Sequence, residues 1–355
     1  MPQVPDLCLI VAGDPRQLTG GYVYDARIVA ALEARGWRVE VMGLAGRFPD
    51  PDVHARDALE AALAAQPNDR RVVIDGLAMG GLPEVVEAHA ARLDLTALVH
   101  HPLADETGLD EATRVRLLDS EARALATVAR VISTSGFTAR RLRDFGIVAA
   151  KVVEPGVEPA SLASSALDLE DDRHPQRLLC VATLTPRKGH DLLVEALAGL
   201  DASGWTCDCI GSLDRDPAHA ERVAASIAEH GLTEQLRLLG EREPQDLDAA
   251  YRDADLFVLP SHYEGYGMVV TEALARGLPV ITTTGGALRH TLPEDAGLAV
   301  PPGDVEALRE ALRRWLEDAG LRRRLRRGAI TARAQQADWQ AAGDAFAAAL
   351  GGPSQ

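Results

Sequence analysis

The chain is poor in several features, and each shortage narrows what it does. It has four cysteines in 355 residues, Cys8, Cys180, Cys207 and Cys209. None has the spacing of a metal site, and all fall in apolar, strand-like runs. Buried free thiols in a reducing compartment are expected. No run of 18 or more apolar residues occurs, so no membrane-spanning helix is expected. The opening MPQVPDLCLIVAG lacks a basic leader and turns polar early. No signal peptide is expected, and the expected location is cytoplasmic. Excess positive charge is also lacking. The formal net charge is −16, and both halves are acidic, −6 up to Ser165 and −10 beyond it. That argues against a nucleic-acid partner and against docking on anionic lipid. The one dissent is basic: Arg313, Arg314 and LRRRLRR at 321–327. It reads as a solvated helix face, with a membrane-facing patch as the alternative.

The chain is otherwise ordinary for a globular protein, 46% apolar and 25% charged, and long enough for two domains with cores. Apolar runs alternate with helical patterns. LCLIVAG (7–13) is a strand, and Gly20 and Gly21 open a helix carrying Ile28, Val29 and Leu32 on one face. WRVEVMGL follows as a second strand, but this unit lacks G-x-G-x-x-G, so a dinucleotide site is not expected. Further strands are RVVIDGL (71–77), LTALVHH (95–101), RVISTS (130–135) and AKVVEPGV (150–157). Such alternation implies a doubly wound parallel sheet. SLASSALDLEDDRHPQ (161–176) has the composition of a linker, so Asp171 and Asp172 are not read as metal ligands.

LLCVATL begins a second domain, followed by the turn TPRKG. Arg187 and Lys188 therefore sit at a strand's carboxyl edge, where open α/β sheets bind ligands, and two cations there suit a diphosphate. WTCDCIGS and LRLLGE are strands ending at Gly211 and Gly240. Asp214 and Asp216 form a D-x-D after the first of these, but Pro217 makes Asp216 a helix cap rather than a metal ligand. The most informative stretch runs from Asp255 to Asp304. The strand Leu256 to Leu259 is stopped by Pro260; a loop holds Gly265, Tyr266 and Gly267; a helix follows from Met268, and Gly277 lies past its end. Such a helix offers unpaired amides to an anion. Glu264 and Glu272, with seven residues between them, fit hydroxyl groups better than phosphate.

The phrase E-G-Y-G-M-V-V-T-E-A-L-A-R-G-L-P-V-I, with the T-x-x-G-G after it, resembles the E-x7-E signature of retaining glycosyltransferases of family 4. The resemblance extends to the R-K-G turn, the Gly20–Gly21 loop and Pro155–Gly156–Val157. It implies an α/β GT-B fold, two Rossmann-like domains facing across a cleft. Residues 1–165 would form the acceptor domain, with a helix at 338–350 crossing back onto it through Trp339 and Phe346. Residues 166–337 would bind the nucleotide-sugar donor. It further implies a hexosyltransferase using a UDP-glucose-type donor and a small soluble acceptor, with no cofactor or metal. Arg187, Lys188 and the loop Gly265, Tyr266, Gly267 and Met268 would hold the diphosphate, and Gly20 and Gly21 would lie over it. Glu272 would take the ribose hydroxyls, Glu264 the donor sugar, and the Gly211 loop would frame the base. A histidine at the fourth strand's end would lie near the sugar; His100 is favoured and His101 kept. An epimerase or a phosphorylase on the same fold, or a non-catalytic nucleotide-sugar sensor, are the alternatives.

Overall fold

A computed structural model describes residues 6–106, 108–168, 175–201 and 204–351; Asp171 and Asp172 lie outside them. The chain divides into two compact units. One is Met1–Gly156 together with Ala337–Gln355, the other Val157–Gln336.

The first unit holds β1 (Leu7–Ala12), β2 (Val39–Leu44), β3 (Arg71–Asp75), β4 (Asp94–Val99), β5 (Arg130–Ser133) and β6 (Lys151–Val152). All pair in parallel, in the order β2-β1-β3-β4-β5-β6. Continuous apolar runs such as Leu7–Ala12 are buried along their whole length, as strands covered on both faces must be. The order reverses between β1 and β3, so the loops after these strands flank a switch point. The second unit holds β7 (Gln176–Val181), β8 (Trp205–Ile210), β9 (Leu236–Leu238), β10 (Leu256–Leu259), β11 (Val280–Thr283) and β12 (Gly297–Val300). It is again parallel, in the order β12-β11-β10-β7-β8-β9, with its switch point between β7 and β10.

Six helices bear on the sites: α1 (Gly20–Glu33), α2 (His190–Ala198), α3 (Met268–Ala275), α4 (Val305–Glu317), α5 (Ala319–Arg333) and α6 (Trp339–Leu350). The last packs on α1. Phe346 is buried there, Trp339 meets Tyr24 edge-on with ring centroids 5.9 Å apart, and Lys151 Nζ donates to Ala349 O at 3.0 Å. Burying one phenyl ring contributes about 2–3 kcal/mol, enough to hold a short helix in place.

The basic run on α5 is not simply a solvated face. Arg322 and Arg326 are buried. Arg322 Nη1 donates to Trp315 O at 2.6 Å and Leu316 O at 2.8 Å, satisfying carbonyls in the last turn of α4. The Arg326 guanidinium lies 5.8 Å from the Trp315 ring centroid. These arginines cap and cover a neighbouring helix, which a charge run on one helix does not reveal. Arg313, by contrast, is a surface residue paired with Glu310 and Glu317.

Candidate functional site

In the second unit the switch point is framed by two loops that are stitched together. The turn after β7 carries Pro186–Lys188 as a single 3-10 turn, closed by Gly189 at φ +68. A Cβ on Gly189 would stand 2.3 Å from Pro260 O, so only glycine lets this turn reach the loop after β10. His262 N then donates to Arg187 O at 2.8 Å. On the other side, Ala287 N donates to Glu264 O at 2.8 Å, and a Cβ on Gly286 would lie 2.2 Å from the same carbonyl. Gly286 therefore allows the loop after β11 to lie against Glu264, and Gly285, whose Cβ would stand 2.2 Å from His262 O, lets it lie against His262.

This stitching brings Arg187, Lys188 and Glu264 together. Lys188 Nζ donates to Glu264 Oε1 at 2.5 Å, Ser261 Oγ to the same oxygen at 2.7 Å, and Arg187 Nη1 to Oε2 at 3.4 Å and to Tyr263 O at 2.8 Å. Burial acts to raise the Glu264 carboxyl, but Lys188, Arg187 and Ser261 together hold it down at about 2. Lys188 goes the other way from what a single ion pair would give. Burial and the neighbouring Arg187 outweigh Glu264 and hold it below the ordinary lysine range. The two shifts are consistent because Glu264 has two cations beside it, whereas Lys188 has a cation, Arg187, as well as the carboxylate. Two half-buried cations side by side at a strand's carboxyl edge suit an anion.

Gly265, Tyr266 and Gly267 continue the loop, and Met268 is the first residue of α3. Gly267 has φ +91 and serves as the cap of that helix, while Tyr266 O accepts from Thr291 Oγ1 at 2.5 Å. Gly211 ends β8, its amide donating to Gly240 O at 3.1 Å. Glu272 lies one turn into α3 and is not part of the Glu264 cluster. Its Oε2 accepts from the buried Tyr251 hydroxyl at 3.0 Å, and the Arg276 guanidinium lies 4.4 Å from the Tyr251 ring centroid. Asp216 caps the helix Pro217–Glu229, accepting from His219 N at 3.0 Å.

In the first unit the candidate histidines diverge. His100 Nε2 lies 3.1 Å from Asp25 Oδ1, whereas His101 Nε2 lies 3.1 Å from Glu106 Oε2. His100 sits under the start of α1: a Cβ on Gly21 would come 3.3 Å from its Cδ2. Gly20, the first residue of α1, has open space around it. Asp75, at the end of β3, completes the group, and burial pushes its carboxyl up to about 6, with Asp25 adding to the rise and His100 opposing it. Burial pulls the His100 imidazole down, but Asp25 and then Asp75 outweigh it, so it stands above its ordinary value. Sequence reading missed Asp25, Asp75, Ser261 and Tyr251. The available signals were Asp25 one helical turn beyond Gly21 and Asp75 closing an apolar strand.

Two groups of described residues have metal-capable donor atoms within 4.8 Å of one another: Asp25, Asp75 and His100, and Cys180, His190 and Cys209. The second group is fully buried. Cys180 is held well above the ordinary thiol range by Cys209 and by burial.

The sequence profile described as "Glycosyl transferases group 1" matches residues 168–332. The matched stretch, most of the second unit, carries the group 1 glycosyltransferase domain. A D-inositol 3-phosphate glycosyltransferase of Salinispora tropica is 36% identical over 207 residues, which are 50% of this chain and 41% of that one. A GDP-mannose-dependent monoacylated alpha-(1-6)-phosphatidylinositol monomannoside mannosyltransferase of Corynebacterium glutamicum is 32% identical, over 46% and 43% of the two chains. The chain spans about half the length of the curated relatives it matches. Over its full fold it is similar to the sucrose-phosphate synthase of Thermosynechococcus elongatus, with TM-score 0.78, 23% identity and coverage of 96% and 98%. Similarity to Anabaena HepE, solved with UDP-glucose, gives TM-score 0.74 at 18% identity, covering 97% and 99%. The two six-stranded parallel sheets are those of the GT-B fold. Among the described residues no helix is long and apolar enough to cross a membrane.

Proposed function

We propose that the chain transfers a hexose, with retention, from a nucleotide-diphosphate sugar to a small soluble acceptor. One observation carries this reading: Arg187 and Lys188 are held side by side, both bonded to Glu264, at the switch point of the second sheet. Two adjacent cations suit a diphosphate, and the amides at the start of α3 add to the attraction. The diphosphate is thereby neutralised by protein groups, and no divalent ion is needed for the leaving group to depart.

Each residue then has a distinct task. Lys188 and Arg187 bind the diphosphate and stabilise it as it leaves. Glu264, ionised at any working pH and fixed by three donors, accepts from donor-sugar hydroxyls and favours positive charge at the sugar carbon. Glu272 takes the ribose hydroxyls, with Tyr251 and Arg276 holding its helix face. His100 meets a substrate hydroxyl. The leaving phosphate takes the acceptor proton. UDP-glucose, the ligand solved with HepE, is the first donor to test, and GDP-mannose, named for the corynebacterial relative, the second. A thermal-shift panel of nucleotide sugars tests the proposal, because a ligand that binds only the folded state raises its stability. A donor should raise the melting temperature and be consumed only when an acceptor is present. No shift with any nucleotide sugar would refute the proposal.

A further inference from the structure

The His100 imidazole is held by two buried neighbours, Asp25 and Tyr24. Asp25 Oδ1 holds Nε2 at 3.1 Å. Tyr24 meets the ring edge-on, centroids 5.3 Å apart, and is itself pinned by its hydroxyl donating to Val153 O at 2.9 Å and by Trp339 of α6. Gly21 leaves room for the ring on the remaining side. Asp25 and Tyr24 are both buried, while His100 keeps 19% of its side chain exposed. Nδ1 has no partner among the described residues. A carboxylate only accepts, so in the neutral imidazole the Nε2 atom carries the hydrogen and Nδ1 carries the lone pair.

We propose that Asp25 is a positioning residue for His100: it fixes the ring and its tautomer so that Nδ1 is the nitrogen presented to a substrate hydroxyl. Asp75, behind the pair and within 4.8 Å of it, supports the arrangement without bonding to the ring. No lysine or arginine pairs with Asp25, Asp75 or His100 among the described residues; the cationic influences on Asp75 are His100 and, more weakly, His101. The logic is that of a buried aspartate behind a catalytic histidine, where the carboxylate orients and the histidine acts. This inference rests on the proposed role of His100 in transfer.

The experiment compares Asp25→Asn, Asp75→Asn and His100→Ala with the parent. It uses nitrogen-15 NMR of the histidine rings together with steady-state kinetics on the donor that the panel identifies. Asparagine keeps the shape of Asp25 but can donate to Nε2, which moves the hydrogen to Nδ1. The parent should show the Nε2–H form at His100, and Asp25→Asn should shift it toward Nδ1–H. The variant should lower kcat on the order of 100-fold with donor KM little changed, and Asp25→Asn with His100→Ala should be no worse than His100→Ala alone. Asp75→Asn should keep the Nε2–H form, which also controls for loss of folding. If His100→Ala is inactive while Asp25→Asn keeps both the tautomer and kcat, the positioning role is overturned and the transfer reading stands. If His100→Ala keeps the parent kcat, both His100's role and the inference fall. One equivalent of Zn²⁺ or Mn²⁺ bound by the parent and lost in Asp25→Asn and Asp75→Asn would overturn it as well, by making the cluster a metal site.

Discussion

Replacing Glu264 with glutamine removes one negative charge and leaves the shape of the side chain. Its consequence for stability follows from the surroundings of the carboxylate. In the folded protein Lys188, Arg187 and Ser261 hold Glu264 at about 2, against 4.5 for a free glutamate. A difference of about 2.5 units corresponds to roughly 3 kcal/mol of stabilisation when the group is ionised. The folded value is depressed, so this contribution is complete above about pH 4.5 and is lost as pH falls toward 2. One unit below 4.5, about 1.4 kcal/mol of it should be gone. Glu264→Gln should therefore unfold in urea with a stability about 3 kcal/mol lower than the parent near pH 7. The gap should be unchanged at pH 5.5 and clearly smaller at pH 3.5. The loss does not depend on any substrate, and glutamine keeps an acceptor oxygen for Ser261 and Lys188, so packing contributes little to it. Equal stabilities near pH 7, or a gap that stays constant down to pH 3.5, would show that Glu264 is not the counter-charge of this cluster.

Three further outcomes are expected. Glu272→Gln should raise the donor KM and spare kcat, because a ribose contact acts on ground and transition states alike; a parental KM in steady-state kinetics would remove the assignment. Full activity should persist in excess chelator; loss in chelator with recovery on adding Mg²⁺ or Mn²⁺ would show that protein cations do not suffice. Arg322→Ser should cost about 2–4 kcal/mol in urea unfolding, since it strands the carbonyls of Trp315 and Leu316. By comparison, Arg324→Ser on the exposed face should stay within about 0.5 kcal/mol, and equal effects would contradict the capping role.

The sequence disclosed most where one local rule acts alone. Leu256–Leu259 is a strand with the expected ends because an apolar run lies between Asp255 and Pro260. Gly277 has φ +71, as the residue after a helix end requires. Legibility fell where partners are distant in the chain. AKVVEPGV read as a full strand, yet only Lys151–Val152 pairs, at an exposed sheet edge. Asp25 looks like a solvated helix residue until His100, 75 positions on, is placed over it. Arg322 and Arg326 look like surface charge until Trp315 is packed beneath them. The nearness of Arg187 and Lys188 to a strand edge was legible, but their convergence on Glu264 depends on Gly189 and Gly286 bringing three loops together.

The most direct test of the diphosphate site is calorimetric titration of UDP-glucose and GDP-mannose into the parent and into Lys188→Ala. The parent should bind one of the two with one-to-one stoichiometry. Lys188→Ala should keep its fold, and loss of a charge-assisted phosphate contact worth about 1.5–3 kcal/mol should weaken that binding roughly 10- to 100-fold. An unchanged Kd in Lys188→Ala would contradict the placement of the diphosphate between Lys188, Arg187 and the start of α3.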